Sequence, residues 1–98
     1  MPKSIMIVDD SEIIRRNLRH LFQSNDEWII CAEAVNGRDA IEKAQEFHPD
    51  FIVLDFFMPS MDGLEVAPRL KGISPKSPIV MLTAFKDRYV EEKAYKAA

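Results

Sequence analysis

Ser4-Ile5-Met6-Ile7-Val8-Asp9-Asp10-Ser11 is the stretch that decides the fold. Its apolar, β-branched run is bounded by Pro2 before and two acids after, with no polar alternation. That is the pattern of a strand buried on both faces of a parallel sheet. Ser11 is an N-cap candidate, and beyond it Ile14, Leu18, Leu21 and Phe22 recur at helical spacing while Arg15, Arg16 and Arg19 fall on other faces. A strand that runs through a short acidic turn into a helix is the first half of a βαβ unit.

Working outward, the same alternation repeats. The polar stretch Ser24, Asn25, Asp26 and Glu27 marks a loop, and Trp28 to Ala34 favours extended backbone, giving a second strand. Asn36-Gly37 would suit a hairpin turn, yet Ala40, Ile41, Ala44 and Phe47 form a helix face. A second helix is therefore expected from Asn36 or Gly37 to His48-Pro49. Phe51 to Leu54 reads as a central strand that ends on Asp55. Met58-Pro59 and Asp62-Gly63 punctuate a loop, and Leu64, Val66, Ala67 and Leu70 point to a short third helix. Pro68 would cost about 3 kcal/mol in the middle of a helix, and less if the helix starts near Gly63 so that Pro68 sits close to the first turn. Ile79 to Leu82 is a fourth strand, and after Thr83-Ala84 the residues Tyr89, Val90, Lys93 and Ala94 support a final helix. Alternating strands and helices close right-handed, which predicts a doubly wound parallel α/β sheet.

Composition limits what this sheet serves. With 98 residues, 47% of them hydrophobic, the chain has room for one domain spanning 1–98 and no second. The net charge of -3, with basic residues scattered, lacks the footprint of direct nucleic-acid contact. Cys31 is the only cysteine, which excludes an internal disulfide and points to the reducing cytoplasm. The first apolar run is cut off by Asp9 too early for a signal peptide, and no other stretch reaches membrane-spanning length.

In sheets of this class ligands sit beyond the carboxyl ends of the strands. Asp9-Asp10, Asp55 and Thr83 occupy such ends. If the first and third strands are neighbours, the three acids lie close together and raise one another's pKa unless a cation intervenes. An all-oxygen, partly hydrated set suits Mg²⁺ or Mn²⁺ better than zinc, with the main-chain carbonyl of Phe57 as a further oxygen. His20 and His48 are not spaced as a ligand pair. A carboxylate beside such an ion either holds it or attacks phosphorus, a reaction that the ion assists by screening repulsion and clamping the phosphoryl oxygens. Thr83 could then hydrogen-bond a phosphoryl oxygen, and Ala84 leaves room for it. Each signal alone has a plainer reading: a helix-capping acidic turn for Asp9-Asp10, a turn residue for Asp55, a strand-end hydroxyl for Thr83. Their convergence on one edge favours the site. Cys31, His20, His48, Tyr89 and Tyr95 are read as packing, and Arg15-Arg16 with Lys86, Lys93 and Lys96 as solvated faces.

Val8-Asp9-Asp10-Ser11, Val53-Leu54-Asp55 with Met58-Pro59 and Asp62-Gly63, and Met81-Leu82-Thr83-Ala84 together resemble the receiver domain of two-component response regulators. Cys31 to Gly37 followed by Ala40-Ile41 is similar to receivers joined to helix-turn-helix output domains. The resemblance implies a flavodoxin-like sheet of order 2-1-3-4. It implies that Asp55 accepts phosphate from a sensor histidine kinase, that Asp9 and Asp10 hold Mg²⁺, and that Thr83 is the switch hydroxyl. Phosphorylation would then alter a face presented to an output domain or partner protein. Such a chain is a signalling switch more than a turnover enzyme.

The family pattern continues with a fifth strand ending in a lysine, then a fifth helix, and neither is found in this sequence. Lys86, Lys93 and Lys96 do not match that lysine, so the chain is expected to be truncated. Its fourth strand would then be an open edge, which predicts self-association by edge pairing or element exchange, and weakened phosphorylation. Two rival readings are a phosphate-independent receiver-like interaction module and a magnesium-dependent phosphatase with an aspartate nucleophile. The second fits less well, because such enzymes carry Asp-x-Asp after one strand and here Asp9 and Asp10 are adjacent.

Overall fold

The structure is a computed structural model, and it describes residues 2–55 and 63–82. Strand β1 (Lys3–Val8) leads to helix α1 (Glu12–Gln23), β2 (Trp28–Ala34), α2 (Gly37–Phe47), β3 (Phe51–Asp55), α3 (Gly63–Ile73) and β4 (Ile79–Leu82). The strands form one parallel sheet in the order β2-β1-β3-β4, as the resemblance implies. The final helix expected beyond Leu82 lies outside the described residues.

The unbroken apolar run of β1 is explained by its two faces. Met6 and Val8 pack with Ile52 and Leu54 against Ala40 and Ala44 of α2 and Val66, Ala67 and Leu70 of α3. Ile5, Ile7 and Val53 point the other way, toward Leu18 and Phe22 of α1. Trp28 stands edge-on between Phe22 and Phe51, with ring centroids 6.1 and 5.7 Å away. Each large aliphatic side chain sealed here contributes about 1.5–3 kcal/mol relative to an exposed one. That burial pins β1 and β3 side by side and so fixes what lies at their carboxyl ends.

Local signals set the boundaries. The Ser11 hydroxyl caps α1 by accepting from the amide of Ile14 at 3.3 Å. Asn36 caps α2 by accepting from the amide of Asp39 at 2.8 Å, so the Asn36-Gly37 pair opens a helix and not a hairpin. His48 closes α2 in a left-handed conformation, φ 47°, and the buried Pro49 behind it cannot continue the helix.

Two local features have a physical cause of their own. Helix α3 starts at Gly63, as the placement of Pro68 favoured, and Pro68, its sixth residue, lacks the N–H that would bond back to Leu64. The helix runs through it because Val66, Ala67 and Leu70 are fully buried around it, and that burial outweighs one missing bond. Along β2 the pairing with β1 skips from Ile5↔Ile30 to Met6↔Ala32. Cys31 is the extra residue of a β-bulge, half-buried, with its thiol donating to the Ile5 carbonyl at 3.4 Å. The bulge turns Cys31 and Ala32 toward the α2 side while Glu33 pairs with Ile7 on the α1 side.

Candidate functional site

Because Val8 pairs with Leu54, the residues that follow, Asp9 and Asp55, emerge side by side at the carboxyl edge. Asp10 comes next on the turn into α1. One carboxylate oxygen from each of Asp9, Asp10 and Asp55 lies within 4.8 Å of the other two. The three acids expected to converge do so.

Their surroundings differ. Asp9 is buried at 2% exposure, while Asp10 is exposed. The Asp9 amide donates to the Ala34 carbonyl at 3.0 Å, and its Oδ1 accepts from the amide of Ser11 at 2.8 Å. Burial pushes the Asp9 carboxyl above the ordinary carboxylate range, and the neighbouring Asp10 raises it further; the Ser11 N–H and Arg15 pull the other way only in part.

Asp9 also has a partner that the sequence reading missed. An Arg15 guanidinium nitrogen donates to the main-chain carbonyl of Asp9 at 2.7 Å. The same guanidinium lies 3.5 Å from Glu33 of β2, and its side chain is only 15% exposed. Arg15 is therefore not part of a solvated face, which corrects the sequence expectation. Arg19 makes a two-pronged contact with Glu33 at 2.7 and 2.9 Å, and its hydrogen bonds hold the Glu33 carboxyl below the usual carboxylate range. Lys43 donates to the Glu33 carbonyl and pairs with Asp39 at 3.2 Å. The available signal was the spacing of Arg15 and Arg19, one helical turn apart on a helix that must cross β2.

Chemically, the pocket offers hard carboxylate oxygens, crowded together, from two adjacent strand ends. That donor set fits a small, oxygen-seeking divalent cation, Mg²⁺ or Mn²⁺, which would relieve the mutual repulsion. Thr83, Ala84 and Phe57, the other residues expected at this edge, lie outside the described residues. His20 falls in the last turn of α1 and His48 at the end of α2, neither among the converged acids.

Comparison with known proteins agrees with this geometry. The response regulator receiver domain family matches residues 5–98. The transcriptional regulatory protein YdfI of Bacillus subtilis is 37% identical over 86 residues, 88% of this chain and 40% of that protein. The chemotaxis protein CheY of Halobacterium salinarum is 36% identical over 97 residues, 99% of this chain and 79% of that protein. Among solved structures, a LuxR-family two-component response regulator from Aurantimonas sp. SI85-9A1 superposes with a TM-score of 0.89 at 26% identity, covering 100% of this chain and 70% of that one. Among the described residues no helix is long and apolar enough to cross a membrane.

Proposed function

We propose, from the premise that this chain belongs to the response regulator receiver domain family, that Asp55 is the phosphoacceptor of a two-component signalling switch. Asp9 and Asp10, together with Asp55 itself, are its metal-binding acids. The observation that carries the assignment is the meeting of the three carboxylates, within 4.8 Å, at the ends of β1 and β3. Asp55 is the last residue of the central strand β3, whereas Asp9 and Asp10 lie on the turn that leads from β1 into α1. An Asp55 oxygen attacks the phosphorus of a phosphohistidine on a sensor histidine kinase. The phosphorus–nitrogen bond breaks, the imidazole regains a proton, and an acyl phosphate forms. Mg²⁺, when bound, supplies charge neutralisation of the phosphoryl oxygens.

Thr83 as the switch hydroxyl, Ala84 as the small residue beside it and the Phe57 carbonyl as a further metal oxygen complete the proposal on sequence grounds. The chain spans about 40% of the length of YdfI, and the receiver would pass its signal to an output domain or partner protein. It acts in the cytoplasm as a switch and not as a turnover enzyme. Self-association through β4 is also proposed. Among the described residues β4 pairs only with β3, and Val80 on it is 41% exposed. Dilute light scattering that finds a monodisperse monomer would remove that part.

The decisive experiment is intact mass after incubation with Mg²⁺ and a small-molecule phosphodonor. One phosphate adduct is expected on the chain and none on Asp55→Asn. An adduct that persists in Asp55→Asn places the acceptor elsewhere, and phosphorylation that is indifferent to chelation removes the metal role.

A further inference from the structure

We propose that Arg15 is a positioning residue for the metal-binding acids, a clamp that holds the Asp9-Asp10 turn against β2. The inference rests on the reading of those acids as a cation site.

The turn from β1 to α1 is three residues long, Asp9 to Ser11, and carries two of the three converged carboxylates. Its backbone has an anchor on the amino side, where the Asp9 amide donates to Ala34 at 3.0 Å. The carbonyl of Asp9 gains nothing from the helix, because the first α1 hydrogen bond runs from the Arg15 amide to Ser11, at 3.0 Å. The Arg15 side chain, one turn into α1, reaches back and fills that gap at 2.7 Å. Asp9 C=O and Asp10 N–H share one peptide plane, so fixing the carbonyl orients the backbone that presents both acids.

The clamp has a rigid base. A guanidinium is a planar fork whose donors keep fixed directions. Here one prong takes the Asp9 carbonyl while Nε faces Glu33 at 3.5 Å, and Arg19 grips Glu33 from one helical turn further on. Glu33 in turn sits in β2, paired with β1, the strand that Asp9 directly follows. The path from β2 through Glu33 and Arg15 back to the acid turn is a closed loop of contacts that reaches Asp9 through its main-chain carbonyl and not its carboxylate.

Charge alone predicts the opposite sign from positioning. Removing a cation beside an anionic pocket strengthens its pull on Mn²⁺ or Mg²⁺; loosening the turn weakens it. The test is therefore the dissociation constant for Mn²⁺, read by electron paramagnetic resonance of the free ion, on the unmodified chain and its variants. Arg15→Met keeps the apolar stem and removes the donors; it is expected to bind about tenfold more weakly, at the low end of what outer partners of metal ligands contribute. Arg15→Lys restores charge and one donor without the fork and should fall between the two. Arg19→Gln removes a like charge that does not touch Asp9 and should stay within about twofold. Affinity in Arg15→Met that is equal to or tighter than in the unmodified chain overturns the proposal. Should that variant unfold, Glu33→Gln carries the test: several-fold weaker binding supports the clamp and unchanged binding sinks it. If the unmodified chain binds no Mn²⁺, the cation-site reading itself has failed, a result distinct from any change at Arg15.

Discussion

Two carboxylate environments lie on either side of α1's first turns, and the protein treats them in opposite ways. Glu33 is met by Arg19 in a two-pronged contact, by Arg15 at 3.5 Å and by Lys43 on its own carbonyl, and its carboxyl is held below the ordinary range. Asp9, one strand over, is buried beside two more acids, and its carboxyl is pushed above that range. A fold seeking only stability would have neutralised the second group as thoroughly as the first. The contrast teaches that a carboxylate paired as fully as Glu33 has a structural role, whereas a buried carboxylate such as Asp9, raised in pKa beside two further acids, marks a candidate functional site.

The largest effect that separates the two regions is the response to magnesium. A ligand that binds only the folded chain at a hundred times its dissociation constant adds about 2.7 kcal/mol to stability. Saturating Mg²⁺ should raise the thermal midpoint accordingly, and Asp9→Asn or Asp55→Asn should remove most of that rise. Asp9→Asn should also make the metal-free chain more stable, because it takes a buried charge out of a crowded site. A midpoint indifferent to Mg²⁺ would erase the contrast.

A smaller loss is expected when the compensated region is disturbed. Glu33→Gln leaves Arg15 and Arg19 without their carboxylate and should lower stability by about 1 kcal/mol, discounted because these groups are partly open to solvent and screened by salt. Chemical denaturation at low and high salt measures it. A cost that does not shrink as salt rises would mean that packing of the arginine stems, not charge, ties α1 to β2.

Much of this contrast was legible beforehand, and unevenly so. The converged acids followed from apolar runs that end on aspartates, since a parallel sheet buried on both faces leaves its first polar residues at one edge. Ser11 and Asn36 declared themselves as caps because short polar side chains before an apolar helix face have few other uses. The Glu33 network was hidden for a geometric reason. The extra residue at Cys31 shifts the alternation of β2, so which face Glu33 takes cannot be read by counting from Trp28. Arg15 looked solvated because its long stem runs under the acid turn, a path visible only once β1 and β2 are in register. The start of α3 at Gly63 was legible from Gly63 and Pro68 together, and burial of Val66, Ala67 and Leu70 carries the helix through the proline.

The smallest and most discriminating effect is in pH. Asp9 has a folded-state pKa raised above its unfolded value, so its contribution to stability is fully present below the unfolded value and is lost as pH rises through the folded one. Glu33 has a lowered folded-state pKa, so its contribution is present above the unfolded value and is lost as pH falls through the folded one. In the metal-free chain the two contributions oppose each other across the carboxylate range, so each offsets part of the other as pH falls. Mg²⁺ breaks the balance, because it holds Asp9 ionised and competes with the proton there. Denaturant midpoints with and without Mg²⁺ should coincide at the acid end and separate as pH rises past the raised Asp9 value. In Asp9→Asn the metal-free curve should keep only the Glu33 limb, falling toward acid, and in Glu33→Gln only the Asp9 limb, falling toward neutrality. Curves of the same slope in both variants would show that the two carboxylates feel one common field, and the distinction between the Glu33 and Asp9 environments would then have no energetic basis.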